Sequence, residues 1–203
     1  GIQWSNGEAV TAADFVYAWL KQMSADATNG YSFIMTDYIV NGQEYNEGSV
    51  DASEVGVKAV DDQTLEVQLK SPTPYFLNLT TMDMFFPVNE AFCEEQGTDF
   101  ALSPDNMLYC GPYVITDYDP AVGVTFAKND NYWDKDNVQI ADAQVRVIKD
   151  AAAALNAYQA GELSQVKLDS SNVSAYKDDP EFSQEIDFRT NYIQFNLTDD
   201  VMS

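Results

Sequence analysis

Residues 4–23, WSNGEAVTAADFVYAWLKQM, constrain the fold more tightly than any other stretch of the chain. Ser5-Asn6-Gly7 supplies a tight turn, because Asn and Gly tolerate the left-handed backbone of a short reversal. Thr11 is placed to cap a helix, Asp14 completes a capping box three residues on, and Val10 can staple onto Phe15. Phe15, Val16, Trp19, Leu20 and Met23 then repeat at helical spacing, defining one face that must be buried. Such a helix fixes local structure and leaves function open.

Further along, Val57, Ala59, Leu65, Val67 and Leu69 alternate about Asp61-Asp62, as a hairpin with one buried face should. Pro72 and Pro74 stop the second strand and can open a short helix through Phe76 and Leu77. Asn89 to Gln96 reads as another short helix, stopped by Gly97. Tyr113 and Ile115 with Val122, Val124 and Phe126 predict a second hairpin, turning over Asp117 to Ala121. A strand is expected over Ala143 to Ile148. Asp150 then caps a helix over Ala151 to Ala160, with Gly161 as the residue just past its end. Val166 and Leu168 predict a short strand, Ser170 or Ser171 starts a helix through Tyr176, and Tyr192 to Leu197 closes the chain as a strand. Hairpins mixed with βα units indicate α/β or α+β architecture.

Composition excludes several partners. The net charge of −23, with no His, argues against nucleic acid, whose phosphates need Lys and Arg opposite them. It also argues against adhesion to anionic lipid, and we read the acidity as solubility. No run approaches the length of a transmembrane helix. The 203 residues, 45% of them hydrophobic, suffice for one substantial core or two modest ones.

Catalytic constellations are hard to build from this chain. Without His, the Ser-His-Asp and Cys-His routes are closed. No Gly-rich phosphate loop is present. Paired carboxylates abound among 33 Asp and Glu, so no particular pair stands out as a glycosidase centre. Two cysteines without His leave a zinc shell short of ligands. Asp130, Asp134 and Asp136 are oxygen-rich but lack the EF-hand spacing, and read as a solvated turn beside Tyr132-Trp133. No catalytic residue, metal or cofactor is therefore expected. Binding remains, and the aromatic residues are the class of interest, since Tyr and Trp join an apolar face to a polar handle. Trp4, Tyr17, Trp19 and Trp133 fall on faces that need burying, whereas Tyr31 follows a Gly outside the helical periodicity.

Six further segments, in order, carry a family resemblance. They are Gly56 to Asp62 with Thr64 to Val67, Pro72-Thr73-Pro74-Tyr75-Phe76, Pro87-Val88, Cys110-Gly111-Pro112-Tyr113, Asn131-Tyr132-Trp133 and Ala160-Gly161-Glu162-Leu163. With the Trp4 to Met23 stretch, they make the chain similar to the oligopeptide-binding proteins of ABC importers, extracytoplasmic solute-binding protein family 5. The resemblance implies a partial periplasmic-binding-protein type II-like fold. Residues 1–89 would form most of the accessory lobe and 90–203 the central part of ligand-binding lobe I. The family normally carries a segment before this point and a large lobe after Asp200, so the chain is expected to be an excised part of a longer protein. Some sheet edges should then be unpaired or occupied by a neighbouring copy.

The resemblance also supplies candidate residues. It places Tyr31 on a tyrosine lining the peptide pocket, with packing at the lobe junction as the other reading. Asn191 and Tyr192 fall on the strand that pairs its backbone with an extended peptide, although Asp187 and Arg189 replace the family's neighbouring aromatics. Leu168 and Asp169 fall near another pocket edge. Cys93 is placed on a helix and Cys110 at the turn after it, which implies a disulfide in an oxidising compartment; two buried free thiols are the alternative.

The implied function is capture of oligopeptides and delivery to an ABC permease and its ATPase, without covalent chemistry. The compartment would be extracytoplasmic, either periplasmic or a lipid-anchored cell surface. Alternatives are a family member taking a dipeptide, oligosaccharide, nickel or haem, a surface adhesion or sensor protein, or a surface glycan-processing enzyme. Direct nickel capture is the less attractive for want of His. Without a second lobe no cleft can close, so these 203 residues alone are predicted to bind peptide weakly or not at all. Titration with short peptides checks this, and micromolar affinity would contradict it.

Overall fold

In the computed structural model, which describes residues 1–27, 30–185, 192, 193 and 195, helix α1 (Ala12–Met23) starts as its residues dictate. The buried Asp14 carboxylate accepts the Thr11 backbone N–H at 2.8 Å, the Thr11 hydroxyl and the Trp4 indole N–H, both at 3.3 Å. One acid thus ties the preceding turn to the helix start. By internal contact the chain separates into two units, Gly1–Val147 and Ile148–Ser203. The boundary expected at 89/90 is a different division and falls inside the first unit.

In the first unit, α1 packs against α2 (Phe33–Thr36), α3 (Gly42–Asn46) and the hairpin β1 (Val57–Asp61) and β2 (Thr64–Val67). The hairpin is antiparallel with Val57 opposite Val67 and Ala59 opposite Leu65, and Asp61 Oδ1 holds its turn through the Gln63 N–H at 2.9 Å. Residues 38–40 extend it: Val40 N–H donates to Gln68, Gly56 N–H to Val40, and Ile39 bridges Leu69. The core gathers Ala18, Trp19, Met23, Met35, Ile39, Val55, Val57, Phe76 and Phe85. Phe76 arrives on α4 (Phe76–Leu79), after the two prolines, and Phe85 on a 3-10 turn over Asp83–Phe85. Trp19 meets Phe85 edge to face at 5.1 Å and donates its indole N–H to the Phe85 carbonyl at 2.9 Å. Helix α5 (Glu90–Gln96) is capped by Asn89, which accepts from Phe92 N–H at 2.9 Å, and stops at Gly97.

A second sheet has the order β3 (Tyr113–Asp119), β4 (Gly123–Lys128), β5 (Asp142–Arg146), antiparallel throughout. β3 runs to Asp119, further than the hydrophobic alternation indicates, with an irregularity between Ile115 and Asp117. Gly123 is required here: its φ is +146° and a Cβ would lie 2.0 Å from the Val145 carbonyl oxygen. Among the described residues β3 and β5 each pair on one side only. Trp133, expected in the core, is 64% exposed. Its loop is held instead by amides: Asn129 Nδ2 donates to the Gly111 carbonyl at 2.9 Å and Asn131 Nδ2 to the Ser5 carbonyl at 2.8 Å.

In the second unit, α6 (Ala151–Gln159) begins at Asp150, whose carboxylate accepts Ala153 N–H at 2.7 Å, and ends before Gly161 at φ +75°. α7 (Val173–Tyr176) follows. Val166 and Leu168 form no strand, since none of the described residues of this unit offers a partner ladder. Half of the closing strand expected over 192–197 lies outside the described residues, which include Tyr192, Ile193 and Phe195, all exposed.

One buried and one exposed tryptophan give a direct test. Trp19→Ala should cost about 3–5 kcal/mol of stability, and Trp133→Ala should fall within about 0.5 kcal/mol of the native chain. Denaturant midpoints read both, and equal losses would contradict this core.

Candidate functional site

Tyr31 stands at the turn into α2, where its carbonyl accepts the Ile34 N–H at 3.0 Å. The preceding Gly30 and this turn present the ring outward, 59% exposed, with Phe33 beside it at 6.3 Å between centroids. Tyr31, Gln22, Asp83 and Met84 line an open cleft of about 270 Å³. Gln22 comes from the last turn of α1. Asp83 and Met84 belong to the 3-10 turn whose next residue, Phe85, is locked against Trp19. The cleft wall is therefore anchored directly to the core. An aromatic face opposite a carboxylate suits a ligand carrying both an apolar group and a cation. Its volume is below the roughly 300–1,000 Å³ of whole small-molecule pockets, so it could take only part of a ligand.

Leu168 and Asp169 lie in the second unit, on the loop leading to α7. Leu168 is half-buried and Asp169 exposed. Asp169 Oδ1 accepts four bonds, from the N–H and hydroxyl of Ser171 at 3.1 and 2.7 Å and from the N–H and side-chain amide of Asn172 at 3.1 and 2.9 Å. These hold the carboxyl below the ordinary carboxylate range, the Ser171 hydroxyl contributing most. Tyr192 belongs to the same unit and is 78% exposed, while Asn191 lies outside the described residues. Tyr31 sits in the first unit, apart in chain from these three.

Sequence reasoning did not find Gln22, Asp83 or Met84. Asp83 was one acid among 33, and nothing in its neighbours marked it. A second cleft of about 490 Å³ also went unseen; Met107, Tyr109, Ile115, Phe126 and Val145 line it over the β3–β5 sheet. Its exposed lining is apolar, with no polar group to orient a ligand, so it is a packing surface in character. The expected Cys93–Cys110 disulfide is absent: both are free thiols. Cys93 faces Lys21 at the end of α1, whereas the charge Cys110 feels is that of Asp14 at its start. Burial raises the Cys110 thiol. Among the described residues no group of three or more His, Cys, Asp or Glu could hold a metal ion.

This architecture is part of a type II periplasmic-binding fold, the framework of solute-binding lobes. The chain belongs to the bacterial extracellular solute-binding proteins, family 5, whose middle-region model matches residues 1–203. It is 37% identical over 163 residues to the oligopeptide-binding protein OppA of Bacillus subtilis, covering 80% of this chain and 30% of that protein. Two solved structures are similar. The substrate-binding domain of an oligopeptide ABC transporter from Bacillus anthracis aligns with a TM-score of 0.84 and 39% identity, covering 88% of this chain and 34% of that one. OppA of Listeria monocytogenes, bound to peptide, aligns with a TM-score of 0.83 and 38% identity, covering 88% and 35%. The chain thus spans about a third of the length of these relatives.

Asp169 yields a pH prediction. A carboxylate with a depressed folded value contributes order that is complete above the ordinary value and is lost as pH falls through the lowered one. The amide shifts of Ser171 and Asn172 should titrate together with a midpoint below the ordinary Asp value of about 3.9. Asp169→Ala should abolish that titration. A midpoint at or above the ordinary value would contradict the loop geometry.

Proposed function

We propose that the parent protein is the extracytoplasmic solute-binding component of an ABC importer, capturing oligopeptides and handing them to the permease. The observation that carries this reading is the match of all 203 residues to a solute-binding family, joined to the likeness to a relative solved with peptide bound. The protein binds and releases its ligand unchanged, and the partner ATPase supplies the transport energy. Residues 1–89 serve as the accessory lobe and 90–203 as the centre of the first ligand-binding lobe. Its compartment is the periplasm or, through a lipid anchor, the outer face of the cell membrane.

Within this reading each candidate residue has a task. Tyr31 offers its ring to a ligand side chain, and Asp83 opposite it favours a cationic group. The segment with Asn191 and Tyr192 pairs its backbone with the extended peptide, which explains tolerance of different side chains, since every residue presents the same N–H and C=O. Leu168 borders a pocket. Asp169 shapes its own loop, because its Oδ1 is already committed to Ser171 and Asn172.

Calorimetric titration of the full-length protein with short peptides and, separately, oligosaccharides tests this. Peptide binding is expected at micromolar affinity or tighter, without hydrolysis of either class. Tyr31→Ala should weaken peptide binding about tenfold, ~1.4 kcal/mol. Asp83→Asn should weaken peptides with a free amino terminus or lysine more than those without. Binding of sugars alone, or turnover of either ligand, would overturn the proposal.

A further inference from the structure

Where α1 meets α5, four side chains that the peptide reading does not use form a chain of contacts. Lys21 Nζ, on the last turn of α1, lies 3.4 Å from the Sγ of Cys93 on α5. It also donates to the Tyr17 hydroxyl at 3.0 Å and stands 5.1 Å from the centre of that ring. Tyr17 in turn donates to the Glu94 carboxylate at 2.5 Å. Cys93 is 3% exposed, while Lys21 and Glu94 are exposed, so the thiol sits one side chain below the surface. The Cys93 sulfur thus has an amine nitrogen in direct contact, while both cysteines are free thiols.

From this geometry we infer that Cys93 and Lys21 form a peroxide-driven covalent link, a sulfenamide joining α5 to α1. In the first step the Cys93 sulfur attacks a peroxide oxygen; the O–O bond breaks, sulfur is oxidised by two electrons to the sulfenic acid, and one water leaves. In the second step the Lys21 amine attacks that sulfur, the S–N bond forms, the S–O bond breaks, and a second water leaves. One peroxide is reduced for each link made, and no other oxidant is needed. Lys21 must first shed its ammonium proton, and the hydrogen-bonded line through the Tyr17 hydroxyl to the Glu94 carboxylate leads it to solvent. Burial first, then the bonds to Cys93 and Glu94, hold the Tyr17 phenol well above its ordinary value, so it stays protonated and relays without competing as a base. The link would clamp α1 to α5 next to Gln22, a wall of the Tyr31 cleft, and across the proposed boundary between the accessory lobe and the first ligand-binding lobe.

Peptide mapping of the full-length protein after hydrogen peroxide treatment tests this. The expected product is a joined pair of peptides, one with Lys21 and one with Cys93, lighter than their sum by two hydrogens. Trypsin should no longer cut after Lys21, and dithiothreitol should release the pair. The melting midpoint should rise by several degrees on oxidation and fall back on reduction. Lys21→Arg keeps the charge at an exposed position but should lose the link, the melting shift and nothing else, leaving a sulfenic acid at Cys93 that dimedone traps. Cys110→Ser should retain the link. A Cys93–Cys110 disulfide, a sulfinic acid at Cys93 with Lys21 unjoined, a joined pair retaining an oxygen, or a Cys93 that resists peroxide would each overturn the inference.

Discussion

One contact organises the first unit: the Trp19 indole against Phe85. Its N–H bond to the Phe85 carbonyl satisfies a backbone acceptor that burial would otherwise leave costly, and its edge-to-face packing fills the space beside Phe76. Helix and 3-10 turn are fixed together by a single side chain. The residues around the cleft inherit that rigidity. Gln22 follows Trp19 by less than one helical turn, and Asp83 and Met84 precede Phe85 directly, so both walls of the Tyr31 cleft hang from the same clamp.

Much of this was legible because the signals were local. The capping box at Thr11 and Asp14, the Asp61 turn, the Asn89 and Asp150 caps and the Gly161 terminus all rest on short-range hydrogen bonds or φ preference, and each stands where its residues place it. The misreadings share a different cause. Val166 and Leu168 alternate like a strand, but alternation cannot supply a partner. Trp133 is large and apolar, yet Asn129 and Asn131 already anchor its loop through side-chain amides, a role that hydropathy does not register. In every case the deciding fact is a long-range neighbour.

For the candidate residues the sequence showed less. Tyr31 stood out because it broke a periodicity, and it does face solvent at the mouth of a cleft. Its partners Gln22, Asp83 and Met84 come from elements far apart in sequence, and one acid among 33 carries no mark of its own. Asp169 shows the opposite case. Its carboxylate is exposed and charged, as a ligand contact should be, but the hydrogen-bond geometry spends it on Ser171 and Asn172.

The central proposal is that this middle region of a family 5 solute-binding protein offers the aromatic cleft at Tyr31 to the ligand. A crystal structure of the full-length protein with a bound tripeptide tests it most directly. The expected result is density for an extended peptide in van der Waals contact with the Tyr31 ring. A peptide seated wholly elsewhere, with that ring in contact only with protein, would contradict it.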